Sequence, residues 1–142
     1  MRHARIKAEG VGCYHVVSRI VDRNFRLDDA EKEIFRGMMR RAEVFCGVRI
    51  LTYAILANHF HLLVEVPLRG EIDEAELIRR VTALYGRIYA NNMARQWHVW
   101  RNNNMAYLVD EQQNKLKMRM GDVSAFIKTL KKPSHRMRSI NS

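Results

Sequence analysis

Apolar and polar residues alternate in three stretches of the first half of the chain, which is the spacing of β-strands. These stretches cover residues 12–20, 48–56 and 59–66. Only Ala57 and Asn58 separate the last two, so these two strands are predicted to form an antiparallel hairpin. Pro67 ends the third strand, because proline cannot donate a hydrogen bond to a neighbouring strand.

Between the first and second strands, apolar residues recur every three or four positions, which predicts a helix. The helix begins at Asp28, where Glu31 three residues later completes a capping box, and it ends at Gly47. Its apolar stripe comprises Ala30, Ile34, Phe35, Met38, Ala42 and Phe45. Because this stripe must be buried, the helix is expected to cover one face of the sheet and to leave the other face open.

After Pro67 the pattern becomes helical. A loop over residues 68–72 precedes a helix over about 73–94, and further helices are predicted over 112–120 and from Val123 to Leu130. Two polar stretches, Asn91–Asn92 and residues 101–104, indicate loops or a broken helix. Trp97 and Trp100 are interpreted as anchors to the core in preference to platforms for nucleic-acid bases.

A strand, a crossing helix and a hairpin form the opening of a ferredoxin-like α+β fold with an antiparallel sheet. The 142 residues suit one domain. Within it we expect a core over about 12–66, a helical insertion over about 70–120, a helix over 121–131 and a basic tail over 132–142. Residues 1–10 are expected to be a basic, mobile arm.

The composition favours a polyanionic partner. Lys and Arg number 25 against 15 Asp and Glu, which gives a formal charge of +10. Nucleic acid is favoured over a membrane surface, because no apolar run approaches the roughly 20 residues of a membrane span. The N-terminus has no signal-peptide core, and Cys13 and Cys46 are predicted to be buried thiols in a reducing cytoplasm. Two cysteines are too few for a zinc finger.

Two histidines mark the third strand. His59 and His61 are two residues apart, so both imidazoles project from one face while Phe60 points to the other. Such a pair can ligate a metal ion, or it can consist of two half-buried, hydrogen-bonded histidines. His15 could join the pair from the neighbouring strand, although hydrogen bonding within the sheet is favoured for it. Asn58 either forms the turn, the favoured interpretation, or orients His59 or a phosphate.

Three separated segments resemble the IS200-like transposases, which belong to the HUH superfamily. They are Tyr14-His15-Val16-Val17-Ser18-Arg19, Asn58-His59-Phe60-His61-Leu62-Leu63-Val64, and residues 120–131 with the letters MGDVSAFIKTLK. The last segment is similar to the REP-associated tyrosine transposases, which carry a helical insertion after the histidine strand. The resemblance extends over almost all of residues 12–131.

The resemblance implies cleavage and joining of single-stranded DNA during transposition of a bacterial mobile element. In such enzymes the two histidines, here His59 and His61, hold Mg²⁺ or Mn²⁺, which polarises the scissile phosphate. A tyrosine on a later helix attacks the phosphorus and forms a 5′-phosphotyrosine. After Lys131 the family continues with a strand and this tyrosine helix, whereas here residues 132–142 do not match and no tyrosine follows Tyr107.

The resemblance therefore leads us to expect a C-terminally truncated member without the last strand, the nucleophile or the third metal ligand. Tyr85 and Tyr89 lie four residues apart, as in the paired-tyrosine helix of relaxases, but core packing is the favoured interpretation of both. Three functions stay open. The chain is an inactive single-stranded or hairpin DNA-binding domain, an active nuclease that uses Tyr85, Tyr89 or a nucleophile from another chain, or a truncated product without a function.

Predicted contacts to DNA come from five basic residues near the sheet and in the C-terminal part. They are Arg19, Arg23, Lys128, Lys131 and Lys132. A sheet that lacks its last strand would expose an edge, which favours a homodimer.

Overall fold

The protein is built on an antiparallel sheet of four strands. The computed structural model describes residues 2–8, 11–19 and 27–131. The strands are β1 (Arg2–Ala8), β2 (Val11–Arg19), β3 (Arg49–Ile55) and β4 (His59–Val66). Their order across the sheet is β1–β2–β4–β3, and every neighbouring pair is antiparallel. The predicted hairpin is therefore confirmed as β3 and β4.

The helix between β2 and β3 begins and ends where the sequence predicts. This helix, α1, covers Asp29–Cys46. The backbone N–H of Glu31 donates to Asp28 Oδ1 at 2.8 Å, and the backbone N–H of Asp28 donates to Glu31 Oε1 at 3.2 Å, which completes the capping box. Gly47 has a φ of 68°, a left-handed conformation that glycine adopts at low cost.

One face of the sheet carries the core. Phe60, Leu62 and Val64 of β4 are buried beneath α1, and the rings of Phe60 and Phe35 lie 5.4 Å apart. Because β4 lies between β2 and β3 and is antiparallel to both, β2 and β3 run parallel and α1 connects them. The α+β class with an antiparallel sheet is confirmed, and the finer ferredoxin-like assignment stays a prediction.

Four more helices follow the sheet. They are α2 (Glu74–Tyr85), α3 (Arg87–Asn102), α4 (Ala106–Lys117) and α5 (Val123–Lys131). Helices α2 and α5 pack on α1, α3 packs on α2, and α4 packs on α3. Trp97 is buried and its indole N–H donates to Gln112 Oε1, so its predicted anchoring role is confirmed. Trp100 packs partly buried against the same core.

The prediction of a mobile N-terminal arm is wrong for residues 2–8. They form β1, which pairs with β2 from Arg2 opposite Val17 to Ala8 opposite Val11. The physical reason is that an unpaired β2 would leave a row of backbone N–H and C=O groups without partners. Local composition carries no information on this pairing, because charged residues are common in edge strands.

The helical part is also divided differently from the prediction. The single helix expected over 73–94 is interrupted at Gly86, whose φ of 94° and ψ of 166° are not helical. Asn91 and Asn92 lie inside α3 and not in a loop, because burial of Ala90, Met93 and Trp97 on the other face outweighs the low helix propensity of asparagine. Helix α4 begins six residues earlier than residue 112 and ends at Lys117.

Two further features concern the environment of the chain. Among the described residues, no helix combines the length and apolar character that crossing a membrane requires. Cys13 and Cys46 are both free thiols, Cys13 half-buried and Cys46 buried.

Candidate metal and nucleic-acid site

His59 and His61 lie on the face of the sheet that α1 does not cover. Their ring centroids are 5.2 Å apart, and both side chains are half-buried. Phe60, between them in sequence, is fully buried on the opposite face. The strand alternation thus places the two imidazoles together at an accessible surface, whereas their role as metal ligands stays a prediction.

The hydrogen bond of His59 determines which of its nitrogens is available. His59 Nδ1 lies 2.8 Å from Asn58 Oδ1. Because an amide oxygen can only accept, Nδ1 is assigned the proton, and Nε2 of the neutral ring keeps its lone pair. Metal-binding histidines are commonly oriented by such a bond from the other ring nitrogen. Asn58 therefore orients His59, in addition to the favoured interpretation as a residue of the turn.

His15 brings a third imidazole to this face. Its exposed ring lies 6.0 Å from that of His61, at an interplanar angle of 26°. In the pairing of β2 with β4, Val17 is opposite His61 and His15 is opposite Leu63, so His15 is the diagonal neighbour of His61. The three histidines form a row across two strands.

Among the described residues, no carboxylate completes this row. Glu65 shares the face, but its Oε1 pairs with Arg49 Nη1 at 3.3 Å. In the described part of the chain, no three His, Cys, Asp or Glu residues cluster so as to hold a metal ion. A hard cation bound to this row would take its oxygen ligands from outside the described residues, for example from water or from a bound molecule.

Basic residues lie at the end of the sheet that carries His59. Arg19 is directly opposite His59 in the β2–β4 pairing, and it is exposed. Lys131 Nζ donates to Ser18 Oγ at 3.3 Å, and Lys128 is exposed one turn earlier on α5. The sequence gives no signal for the contact of Lys131 with Ser18, because the two residues are far apart in the chain. Arg23 and Lys132 lie outside the described residues.

The structure does not bring the candidate tyrosines to the histidines. The ring of Tyr85 meets Phe45 of α1 edge-on at 6.1 Å, and its hydroxyl accepts a hydrogen bond from Arg119 Nη1 at 2.7 Å. Tyr89 stacks on Tyr85 at 4.6 Å. Because both belong to the helical side, α1 and the sheet separate them from the histidine face.

Comparison with known proteins assigns the family. The family model described as "Transposase IS200 like" matches residues 11–120, which include β2, α1, the β3–β4 hairpin and helices α2 to α4. Searches of curated proteins and of solved structures found no match. Since the family model covers far more than half of the chain, with both histidines inside the match, the chain belongs to the IS200-like transposase family.

Proposed function

We propose that this chain binds single-stranded or hairpin DNA across the open face of its sheet, with a divalent cation held by His59 and His61. The observation that carries the proposal is the placement of both imidazoles on the face opposite α1, with Arg19 directly across from His59. Membership of a transposase family makes DNA the expected polymer, and the formal charge of +10 agrees with it. The narrower likeness to the REP-associated members is part of this proposal.

The cation is proposed to be Mg²⁺ or Mn²⁺. His59 would ligate it through Nε2, His61 would supply a second nitrogen, and His15 is the nearest further imidazole. Both cations prefer oxygen ligands, so two imidazoles alone bind them weakly. When bound, the cation polarises a phosphate as a Lewis acid. If a phosphate contributes an oxygen ligand, DNA and cation each strengthen the binding of the other.

The protein side chains would hold the strand beside this cation. Arg19 offers a guanidinium to a phosphate next to the histidines. Lys131 contacts Ser18, which is opposite Phe60 on the face that α1 covers, so Lys128 and Lys131 extend the positive charge from the open face around the end of the sheet. Arg23 and Lys132 belong to the same proposal on their sequence position alone. The chain is therefore expected to bind along the backbone of the strand, with affinity that depends strongly on salt.

Cleavage is not proposed for the isolated chain. Attack on phosphorus requires the tyrosine oxygen at roughly 3 to 3.5 Å from the reacting atom. Tyr14 and Tyr53 pair with Val64 and Leu62, which places them on the face that α1 covers. Tyr85 and Tyr89 pack on the helical side, and Tyr107 is on α4. We therefore propose that the chain by itself forms no covalent adduct with DNA.

The binding experiment uses fluorescence anisotropy with a labelled DNA hairpin that carries a single-stranded flank. The variant Arg19→Gln/Lys128→Gln/Lys131→Gln should reduce the log–log salt slope by about 2, because each phosphate contact to a single strand contributes about 0.7. The control variant Arg36→Gln/Arg79→Gln/Lys115→Gln removes three cations of α1, α2 and α4, each of which pairs with a glutamate of its own helix. An equal change of slope in both variants would contradict the proposed surface.

The cleavage experiment incubates the chain with Mn²⁺ and the same hairpin and separates the products on a denaturing gel. We expect no protein–DNA adduct. An adduct that disappears on Tyr85→Phe or Tyr89→Phe would show that the chain is an active nuclease with a relocated nucleophile, which is the alternative that the sequence leaves open.

A further inference from the structure

Helix α3 carries an exposed polar face that the proposed site does not use. Along this face, Arg87, Asn91, Arg95 and His98 recur at helical spacing, and Asn92 and Gln96 lie beside them. All six are exposed. The opposite side of α3 is buried through Ala90, Met93 and Trp97. From here on, these six exposed residues are called the α3 face.

The α3 face carries positive charge with no acidic residue on the same helix. From residue 87 to residue 109 the sequence contains three arginines and no Asp or Glu, and one of the three, Arg101, pairs with Glu74 of α2. Arg36 of α1, Arg79 of α2 and Lys115 of α4 each pair with a glutamate of the same helix. Arg87 and Arg95 make no hydrogen bond or ion pair with any residue of the described part of the chain. Two guanidinium groups are therefore available to an anionic partner.

The side-chain types on the α3 face are those that read base edges in duplex DNA. Arginine donates to guanine O6 and N7, and asparagine or glutamine forms bidentate bonds to adenine. The side chains of Asn91, Asn92 and Gln96 are free of hydrogen bonds within the described residues. Helix α4, by contrast, carries Glu111 and Lys115 as an i, i+4 ion pair, which stabilises the helix itself.

The dimensions of α3 also fit a major groove. The helix has 16 residues, which corresponds to a length of about 24 Å. Arg87 and Arg95 are eight residues apart, or about 12 Å along the axis, with Asn91 and Asn92 between them. The major groove of B-form DNA is about 12 Å wide and admits an α-helix.

We propose that the α3 face is a second nucleic-acid surface, which binds duplex DNA through its major groove. It rests on the proposed function in taking DNA as the partner. Because α3 packs on α2, and α2 on α1, the α3 face is remote from the open sheet face. One hairpin offers both targets, a single strand for the histidine face and a duplex stem for the α3 face.

The test measures binding of the full chain to a blunt 18-base-pair DNA duplex and, separately, to a single strand of thymidines. For the duplex, Arg87→Gln/Arg95→Gln should reduce the salt slope by about 1.8, since each phosphate contact contributes about 0.9. If the wild type and the variant bind equally at 1 M salt, this difference in slope makes the variant bind the duplex about 60-fold more weakly than the wild type at 0.1 M salt. Binding to the single strand should be unchanged. The control is Arg36→Gln/Lys115→Gln, which lowers the charge equally.

A second variant tests the base contacts. Asn91→Ala/Asn92→Ala keeps the net charge and raises the helix propensity of α3. Because asparagine bonds to adenine, the variant should lower the ratio of affinities for A·T-rich over G·C-rich duplexes by about 5-fold or more. Duplex RNA serves as a competitor, because side chains do not reach the bases in its deep, narrow major groove. It should bind more weakly than duplex DNA and lose less affinity in the Arg87→Gln/Arg95→Gln variant.

Three results would overturn the proposal. The first is a control variant that loses as much affinity for duplex DNA as Arg87→Gln/Arg95→Gln does. The other two are an Arg87→Gln/Arg95→Gln variant that loses as much affinity for the single strand, or for duplex RNA, as it loses for duplex DNA. Because the blunt duplex has no single-stranded part, failure of this assay leaves the proposed function intact. Conversely, unchanged single-strand binding in the Arg19→Gln/Lys128→Gln/Lys131→Gln variant would count against the proposed function and not against the α3 face.

Discussion

Neighbouring residues of β4 give a direct test of which face the histidines occupy. Phe60 is fully buried beneath α1 with its ring 5.4 Å from that of Phe35, whereas His61, the next residue, is half-buried on the open face. Phe60→Ala should therefore destabilise the protein strongly, and His61→Ala should destabilise it little. The comparison separates a functional histidine from one that is part of the core.

The magnitude follows from burial and chain length. Truncation of a buried phenylalanine to alanine typically costs about 3 to 5 kcal/mol of unfolding free energy, through lost transfer energy and the cavity left behind. The entropy of unfolding near 60 °C is about 2.1 cal/mol/K per residue, or about 0.3 kcal/mol/K for 142 residues. Phe60→Ala should then lower Tm by about 10 to 17 °C. His61→Ala removes a half-buried ring from outside the core, so it should cost about 1 kcal/mol or less, or about 3 °C.

The assay is thermal and urea unfolding of the wild type and both variants, followed by circular dichroism. Far-UV spectra of the variants at 10 °C check that each is folded before the transition is compared. If His61→Ala lowers Tm as much as Phe60→Ala does, the histidines are core residues. That result would refute the assignment of the open face and, with it, the proposed cation site.

Three other substitutions or conditions test the surrounding structure. Gly47→Ala should cost about 1 to 2 kcal/mol of unfolding free energy, because it imposes a left-handed conformation on alanine. The added Cβ would lie 2.7 Å from Arg80 Nη1, the far end of a flexible side chain that can move aside. Urea unfolding with Gly37→Ala as a control measures the cost, and a neutral effect would contradict the left-handed conformation of residue 47. Hydrogen bonds from Arg79 and Arg80 lower the pKa of Glu76 to about 2. The ionised carboxylate therefore stabilises the folded protein above pH 4.5, and this contribution is lost as the pH falls toward 2. Glu76→Gln should flatten the profile of Tm against pH in that window, and an unchanged profile would count against the ion pairs. Burial raises the pKa of the Cys46 thiol to about 12. Iodoacetamide at pH 8 should therefore label Cys13 alone in the folded protein, as measured by mass spectrometry. Rapid labelling of both thiols would show that Cys46 is accessible.

Local patterns predicted the elements that local chemistry determines. The capping box at Asp28, the glycine at position 47 and the alternation around Phe60 each lie within a few residues of the feature that they specify, and all are confirmed. The same alternation placed His59 and His61 on one face, because the two-residue period of a strand requires it.

Contacts between distant segments could not be predicted from these patterns. Nothing in residues 2–8 indicates that they pair with β2, and nothing near residue 131 indicates that its ammonium reaches Ser18. Both depend on the register between elements, which packing determines. The break at Gly86 has another reason: a helical pattern tolerates one glycine, so the sequence alone does not indicate its positive φ of 94°.

The central claim is that His59 and His61 together hold a divalent cation on the open face. Paramagnetic broadening by Mn²⁺ tests it most directly, because the effect is visible even at low occupancy and reports on individual rings. The protein carries an internal control in His98, an exposed histidine of α3 whose Nε2 lies 3.0 Å from Asn102 Nδ2.

In a spectrum of the histidine rings, substoichiometric Mn²⁺ should broaden the signals of His59 and His61 first and that of His15 next, while the His98 signal stays sharp. Addition of a single-stranded oligonucleotide should lower the Mn²⁺ concentration at which this occurs. Equal broadening of His98, or no broadening of His59 and His61 with DNA present, would contradict the claim.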